Sequence, residues 1–198
     1  MSKRHAPATL RNRDAILAVL QRIAPQDGVL LEIASGTGEH AAYMASNLPG
    51  PLRWQPSDGD ADALSSIDAH AAGNPRILPA LLVDVTARKW PIDRAAAMFC
   101  ANMIHIAPWQ ASEGLFAGAG RVLTSGAPLV LYGPFKRDGA HTAPSNEAFD
   151  ASLRSRDPSW GVRCLDSEIA PLAKRHGLVL GEIVPMPANN LSVIFRRR

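Results

Sequence analysis

The stretch Val29 to His40 limits the folds open to this chain more than any other part of it. It reads Val-Leu-Leu-Glu-Ile-Ala-Ser-Gly-Thr-Gly-Glu-His: an apolar run closing on a carboxylate, then a glycine-bearing turn, then a helical pattern. An α/β protein builds a nucleotide pocket in this way at the carboxyl end of its first strand. Gly36 and Gly38 let the backbone approach a ligand closely and take dihedrals that a Cβ would forbid. Glu32 falls at the end of a buried strand, where a charge requires a partner, and a ribose hydroxyl or a cationic amino group would serve. The same glycines also suit a plain tight turn from strand to helix.

Read for period, the chain alternates strand and helix with no internal repeat or linker. The pattern predicts a first helix capped by Asn12, with Ala15, Ile16, Val19, Leu20 and Ile23 on its apolar face and Pro25 beyond its end. Strands are predicted at Val29 to Ile33, around Leu52 to Gln55 with Pro56-Ser57-Asp58 following, within Ile77 to Val83, at Ala95 to Cys100 and at Pro128 to Tyr132. Helices are predicted after the glycines, over Ala61 to Ala72, Leu115 to Leu123 and Glu147 to Leu153, and over Ser167 to His176, where Gly177 ends the run. Leu178 to Val184 and Leu191 to Phe195 read as two closing strands joined by Pro185 to Asn190. Alternation of this kind predicts a mostly parallel sheet, and the closing pair predicts an antiparallel hairpin at one edge.

At 198 residues the chain suits one α/β domain spanning residues 1–198. The net charge of +3 rests largely on Lys3-Arg4 and Arg196-Arg197-Arg198, so it does not by itself imply a nucleic-acid groove. No apolar run is long enough to span a bilayer, and Met1 to Ala6 lacks the apolar core of a signal peptide. A cytoplasmic location without a membrane partner is the expectation. Cys100 and Cys164 stand far apart and form no metal-like cluster, so both are expected as thiols and no metal is expected.

Two cofactors compete for the glycine turn. Gly36 to Ala41 fits the G-x-G-x-x-G/A pattern of dinucleotide-binding folds, and Asp58 stands about 20 residues further on, where a ribose-binding acid is expected. Glu32 inside the end of the first strand, Asp84 after the third and the closing hairpin pull away from NAD. Together they resemble the class I S-adenosylmethionine (SAM)-dependent methyltransferases, whose first motif reads E/D-x-G-x-G-x-G. Here it reads Glu32-Ile33-Ala34-Ser35-Gly36-Thr37-Gly38, with Ala34 in place of the first glycine.

A closer resemblance runs over nearly the whole chain. Leu10-Arg11-Asn12, Trp54 to Asp58, Cys100 to Trp109, Tyr132 to Gly139 and Met186 to Asn190 resemble segments of the DUF938 family, which includes the methyltransferase-like 26 proteins. That family is commonly described as SAM-dependent methyltransferases of unknown substrate. The resemblance implies a Rossmann-like class I methyltransferase fold, with a seven-stranded, mostly parallel sheet and a C-terminal antiparallel hairpin.

Ligands of such a sheet sit beyond the carboxyl ends of its strands. The resemblance therefore implies SAM contacts from Glu32 near the amino acid portion, from the backbone at Ala34, Gly36 and Gly38, from Asp58 to the ribose, and from Asp84 with Val85 to the adenine. Asn102 and Met103, which follow the fourth strand where the pocket passes from cofactor to acceptor, complete the implied cofactor contacts. His105 is a candidate general base and equally a packing histidine. Candidate acceptor contacts are Arg11, Asn12, Tyr132, Lys136, Asn146, Arg163, Asn189 and Asn190. Residues 136–165 form a polar segment longer than the usual connection, as lids and binding segments are.

The run after the fourth strand is not N/D-P-P-Y/F, which argues against amino-group methylation of nucleic acids or glutamine, and neither cysteine follows a proline as in pyrimidine-ring methylation. Methyl transfer to a small-molecule acceptor is the leading expectation. A SAM-binding module without catalysis, an RNA methyltransferase and an NAD-dependent oxidoreductase are the alternatives. Oligomeric state is not legible here.

Overall fold

The apolar residues of Val29–Ile33 (β1) require cover on both faces, and they have it: Leu31 and Ile33 enter one core, Leu30 the other. The computed structural model describes residues 3–198. Along the chain, Pro7–Ile23 (α1) precedes β1, followed by Glu39–Asn47 (α2), Arg53–Asp58 (β2), Ala61–Ala71 (α3) and Leu81–Leu82 (β3). Then come Ala97–Ala101 (β4), Trp109–Val122 (α4), Pro128–Gly133 (β5), the short hairpin Lys136–Arg137 (β6) and Ala140–His141 (β7), and Pro144–Arg156 (α5). Ala170–Arg175 (α6), Leu178–Met186 (β8) and Asn190–Arg197 (β9) complete the order.

Seven strands form one sheet in the order β3-β2-β1-β4-β5-β9-β8, in which only β9 runs against its neighbours. The order reverses between β1 and β4, and ligands of open α/β sheets bind at the carboxyl edge of such a reversal. Ile33 pairs with Cys100, so the glycine turn after β1 emerges beside Ala101 and Asn102. One core holds Leu115 and Phe116 of α4 with Phe195 of β9, the two phenyl rings meeting edge to face at 5.5 Å. The other holds Ile16 and Leu20 of α1 and Met44 of α2 against Trp54 and Phe99.

Several boundaries differ from the sequence expectation for identifiable reasons. α1 begins at Pro7, whose fixed φ suits a first helical position, so Asn12 lies inside the helix and does not cap it. The third strand shrinks to Leu81–Leu82, because Pro79 cannot donate to a ladder; Ile77 keeps only an isolated bridge to Trp54. The last helix is split: Leu165–Ile169 form a π-helical turn, and Pro171 opens α6. α4 and α5 start earlier than predicted, at Trp109 and Pro144, and both closing strands are longer. No helix among the described residues is long and apolar enough to cross a membrane.

Candidate active site

The turn after β1 is held by the strand beside it. Ser35 N donates to Ser57 O at 2.8 Å, and Ser57 Oγ donates to Glu32 O at 2.6 Å. These bonds keep Ala34 at φ 57°, the left-handed region that costs a residue with a Cβ about 1 kcal/mol or more. Glu32 is 2% exposed. Its Oε2 accepts from Trp54 Nε1 at 2.9 Å and from Ser35 Oγ at 2.8 Å, so the partner that its buried position demands comes from within the fold. Burial pushes its carboxyl up to about 7 against the lowering effect of those two hydrogen bonds.

The two glycines of the turn serve different purposes. A Cβ at Gly36 would meet no heavy atom within 4 Å, so this residue faces open space. A Cβ at Gly38, where φ is +90°, would stand 2.6 Å from Ile67 Cα, so here it is α3 that needs the glycine. Asp58, at the end of β2, accepts from Gly36 N at 2.8 Å through Oδ2 and from Asp60 N at 2.9 Å through Oδ1. A carboxylate has lone pairs beyond those two for a hydroxyl donor. Asp84 follows β3 and accepts from Thr86 N and Oγ1, which hold its carboxyl below its ordinary range. Val85 packs its carbonyl on α4, where a Cβ at Gly114 would stand 2.2 Å from it. Gly36 and Asp84 are exposed and Asp58 is half-buried, so this half of the edge is an open rim.

Across the reversal, the carboxyl edge carries two adjoining cavities of about 340 and 560 Å³ that share Asn102, Ala188 and Asn190. The smaller is lined by Arg11, Asn12, Tyr132 and Pro187; the larger by Ile106, Pro134, Asn146, Phe149 and Asn189. Left-handed residues gather here, with Asn102 at φ 60°, Ala188 at 56° and Asn189 at 58°. Asn146 Nδ2 donates to Asn189 O at 2.9 Å and Asn189 Nδ2 to Ser145 Oγ at 3.1 Å, tying α5 to the β8–β9 turn. Asn12, on the inward face of α1, places Oδ1 2.8 Å from His40 Nε2.

His40 escapes the sequence reading. It sits one residue into α2, and its ring meets Phe99 edge to face at 6.1 Å. Burial lowers its pKa to about 4, so at neutral pH it is uncharged and its Nε2–H is free to serve Asn12. The signal available in sequence was its position at the mouth of the glycine turn.

Four predicted residues do not reach this cleft. His105 lies in a 3-10 turn, Met103–His105, with no exposed surface; its Nδ1 accepts from Arg163 N at 3.2 Å and its ring packs on Phe135 at 4.9 Å. Burial, with the Arg163 charge, pushes its pKa down to about 3. A general base needs access to the proton it takes, and this ring has none, so the packing reading replaces the catalytic one. Arg163 donates to the carbonyls of Ile104, Ala107 and Ser159 at 2.8 to 3.0 Å and is spent on tying the chain together. Lys136 pairs with Asp150 at 3.1 Å, and Asp150 also accepts from Arg154 and Val162 N. Met103 is buried in the core. Of residues 136–165, the part that faces the cleft is Ser145, Asn146 and Phe149 on α5.

Solved structures of similar fold include methyltransferases. The mitomycin 7-O-methyltransferase MmcR superposes with a TM-score of 0.81 at 18% identity, covering 96% of this chain and 54% of that one. Human N-acetylserotonin methyltransferase in complex with SAM gives 0.78 at 14% identity, covering 96% and 52%. CalO1, a methyltransferase of calicheamicin biosynthesis in its S-adenosylhomocysteine (SAH)-bound form, gives 0.73 at 19%, covering 93% and 54%. This chain therefore spans about half the length of these enzymes. At such identities the likeness establishes the fold, a Rossmann-like class I methyltransferase fold. A family model described as "Protein of unknown function (DUF938)" matches residues 3–197, and the chain belongs to the DUF938 family.

Proposed function

We propose that this protein binds SAM at the open rim after β1, β2 and β3 and directs its methyl group to a small molecule in the adjoining cleft. One observation carries the reading: at the strand-order reversal, a carboxylate-bearing rim around Gly36 and Asp58 abuts an amide-lined cleft through Asn102. The rim fits the cofactor, because Gly36 faces open space and Asp58 keeps acceptor capacity beyond its two backbone bonds.

In this reading Asp58 accepts from the ribose hydroxyls, Asp84 with Val85 meets the adenine, and the backbone at Ala34 and Gly36 borders the amino acid portion. Glu32 acts one layer back, fixing the turn through Ser35 and Trp54. Bound there by Asp58, Asp84 and the backbone of the glycine turn, SAM would supply an electrophilic methyl group and a neutral thioether as the leaving group. The chain's own contribution is alignment, which supplies much of the rate of a displacement between two held reactants. Asn102, Tyr132 and Asn190 orient the acceptor, and the neutral His40 holds Asn12 in place beside them. An acceptor already nucleophilic needs no base, and one that bears a proton loses it to solvent water at the open mouth of the cleft.

The test is a calorimetric titration with SAM followed by incubation of the protein with labelled SAM and a small-metabolite extract. Binding and a labelled product are expected. Binding with no label in any extract would leave a SAM-binding module without catalysis, and NAD binding in place of SAM would overturn the reading.

A further inference from the structure

The two cavities differ in what they offer, and the difference specifies a ligand. Neither is lined by a carboxylate or a lysine; the one charged side chain on their combined wall is Arg11. Arg11 is exposed and pairs with no carboxylate among the described residues. The acid one helical turn away, Asp14, is occupied by the Tyr43 hydroxyl and lies 3.8 Å from Arg13. At the far end, Ile106 is 40% exposed and faces the cleft with Phe149 and Pro134. The space between is bordered by carboxamides, neutral groups that both donate and accept.

An isolated cation at one end, an apolar wall at the other and amides between them form a site for an amphipathic anion. On the reading that the cleft holds the methyl acceptor, we infer that the acceptor is a small amphipathic carboxylic acid whose carboxylate pairs with Arg11 and whose apolar body lies against Ile106 and Phe149. The planar guanidinium presents a fork of donors matched to a carboxylate. The absence of any acid from the wall removes the partner that a cationic acceptor would need. The Arg11 charge favours the ionised form of the Tyr132 hydroxyl across the smaller cavity, against a larger opposing effect of burial.

The test uses the whole chain saturated with SAH and matched probe triplets: 4-hydroxybenzoate, 4-hydroxybenzamide and 4-hydroxybenzylamine, and the same three head groups on a naphthol skeleton. Ligand-observed NMR gives each Kd. The carboxylates are expected to bind about 10-fold or more tightly than the amides of the same skeleton, as a charge-assisted pair requires. In Arg11→Gln that gap closes to within about two-fold, Arg11→Lys retains part of it, and SAH affinity stays within about two-fold in both, since a rim contact is not being removed. Amides or amines that bind as well as the acids, a gap that survives Arg11→Gln, or no binding by any probe would overturn the inference. So would a loss of SAH affinity in Arg11→Gln, which would assign the guanidinium to the cofactor's own carboxylate. Failure of the unaltered protein to bind SAH at all is a different result and overturns the reading of the rim instead.

Discussion

The two halves of the carboxyl edge are built in opposite ways. The rim comes from loops that each directly follow a strand, carries the carboxylates Asp58, Asp60 and Asp84, and satisfies them with nearby backbone amides. The cleft is assembled from segments distant in sequence, α1, the turn after β4, β5, α5 and the β8–β9 turn, and carries carboxamides and one cation. The rim is thus a local property of strand ends. The cleft exists only once helices and hairpin have docked, and a change of acceptor requires no change to the rim.

The glycine turn gives the sharpest way to break this comparison. Gly38→Ala is expected to cost about 3 kcal/mol or more, because its Cβ would overlap α3 backbone at a positive φ, whereas Gly36→Ala costs only the dihedral strain of about 1 to 2 kcal/mol. Urea denaturation of the pair separates packing from ligand contact. Equal losses would show that Gly36 is also a packing position.

The cleft side has its own close approach. A Cβ at Gly133 would stand 2.7 Å from His105 Nε2 and 3.1 Å from Asn102 Oδ1, and the fully buried imidazole cannot swing away. Gly133→Ala is expected to cost about 1 to 3 kcal/mol and to disturb the cleft while leaving the rim intact. A stability within error of the parent would show that this packing is loose.

The buried ionisable groups give the two sides opposite pH dependences. Glu32 titrates at about 7 in the fold against an ordinary 4.5, so its contribution to stability is full below the lower value and is lost as pH rises through the higher. His40 and His105, held neutral to about 4 and about 3, remove stability as pH falls below their ordinary 6.5. Glu32→Gln, which keeps an acceptor for Trp54, removes the contribution that opposes the two histidines and should steepen the rise of stability from pH 4.5 to 6.5, a change of about 3 kcal/mol accumulated by pH 7. Thermal unfolding of parent and variant across pH 4 to 8 measures the difference, and identical profiles would show that Glu32 does not hold a proton in the fold. Smallest is Ala34→Gly, which relieves a left-handed alanine and should stabilise by up to about 1 kcal/mol.

The same contrast explains how much could be read from sequence. The glycine turn, its strand and the closing hairpin carry their own local chemistry, and β1 falls on the predicted residues. That Arg11 and Asn12 meet Asn190 was legible through one topological step: α1 and the hairpin turn had to reach the same edge, and these residues line one cavity. Asn12 looked like a cap because nothing local reveals its partner His40, twenty-eight residues away. Lys136 and Arg163 looked like lid residues because a polar run reads as exposed, while their partners Asp150 and the carbonyls of Ile104 and Ala107 arrive only on folding. His105 was open to two readings, and burial between β5 and the returning chain decides for packing.

The central claim is that rim and cleft divide the work, and SAM affinity measured by calorimetry on two variants tests it most directly. Asp58→Ala should weaken binding about 10- to 100-fold, the value of a hydrogen bond to a charged group, while Asn190→Ala, across the reversal, should leave it within about two-fold. Loss of SAM binding in Asn190→Ala equal to that in Asp58→Ala, or full affinity in Asp58→Ala, would contradict the division.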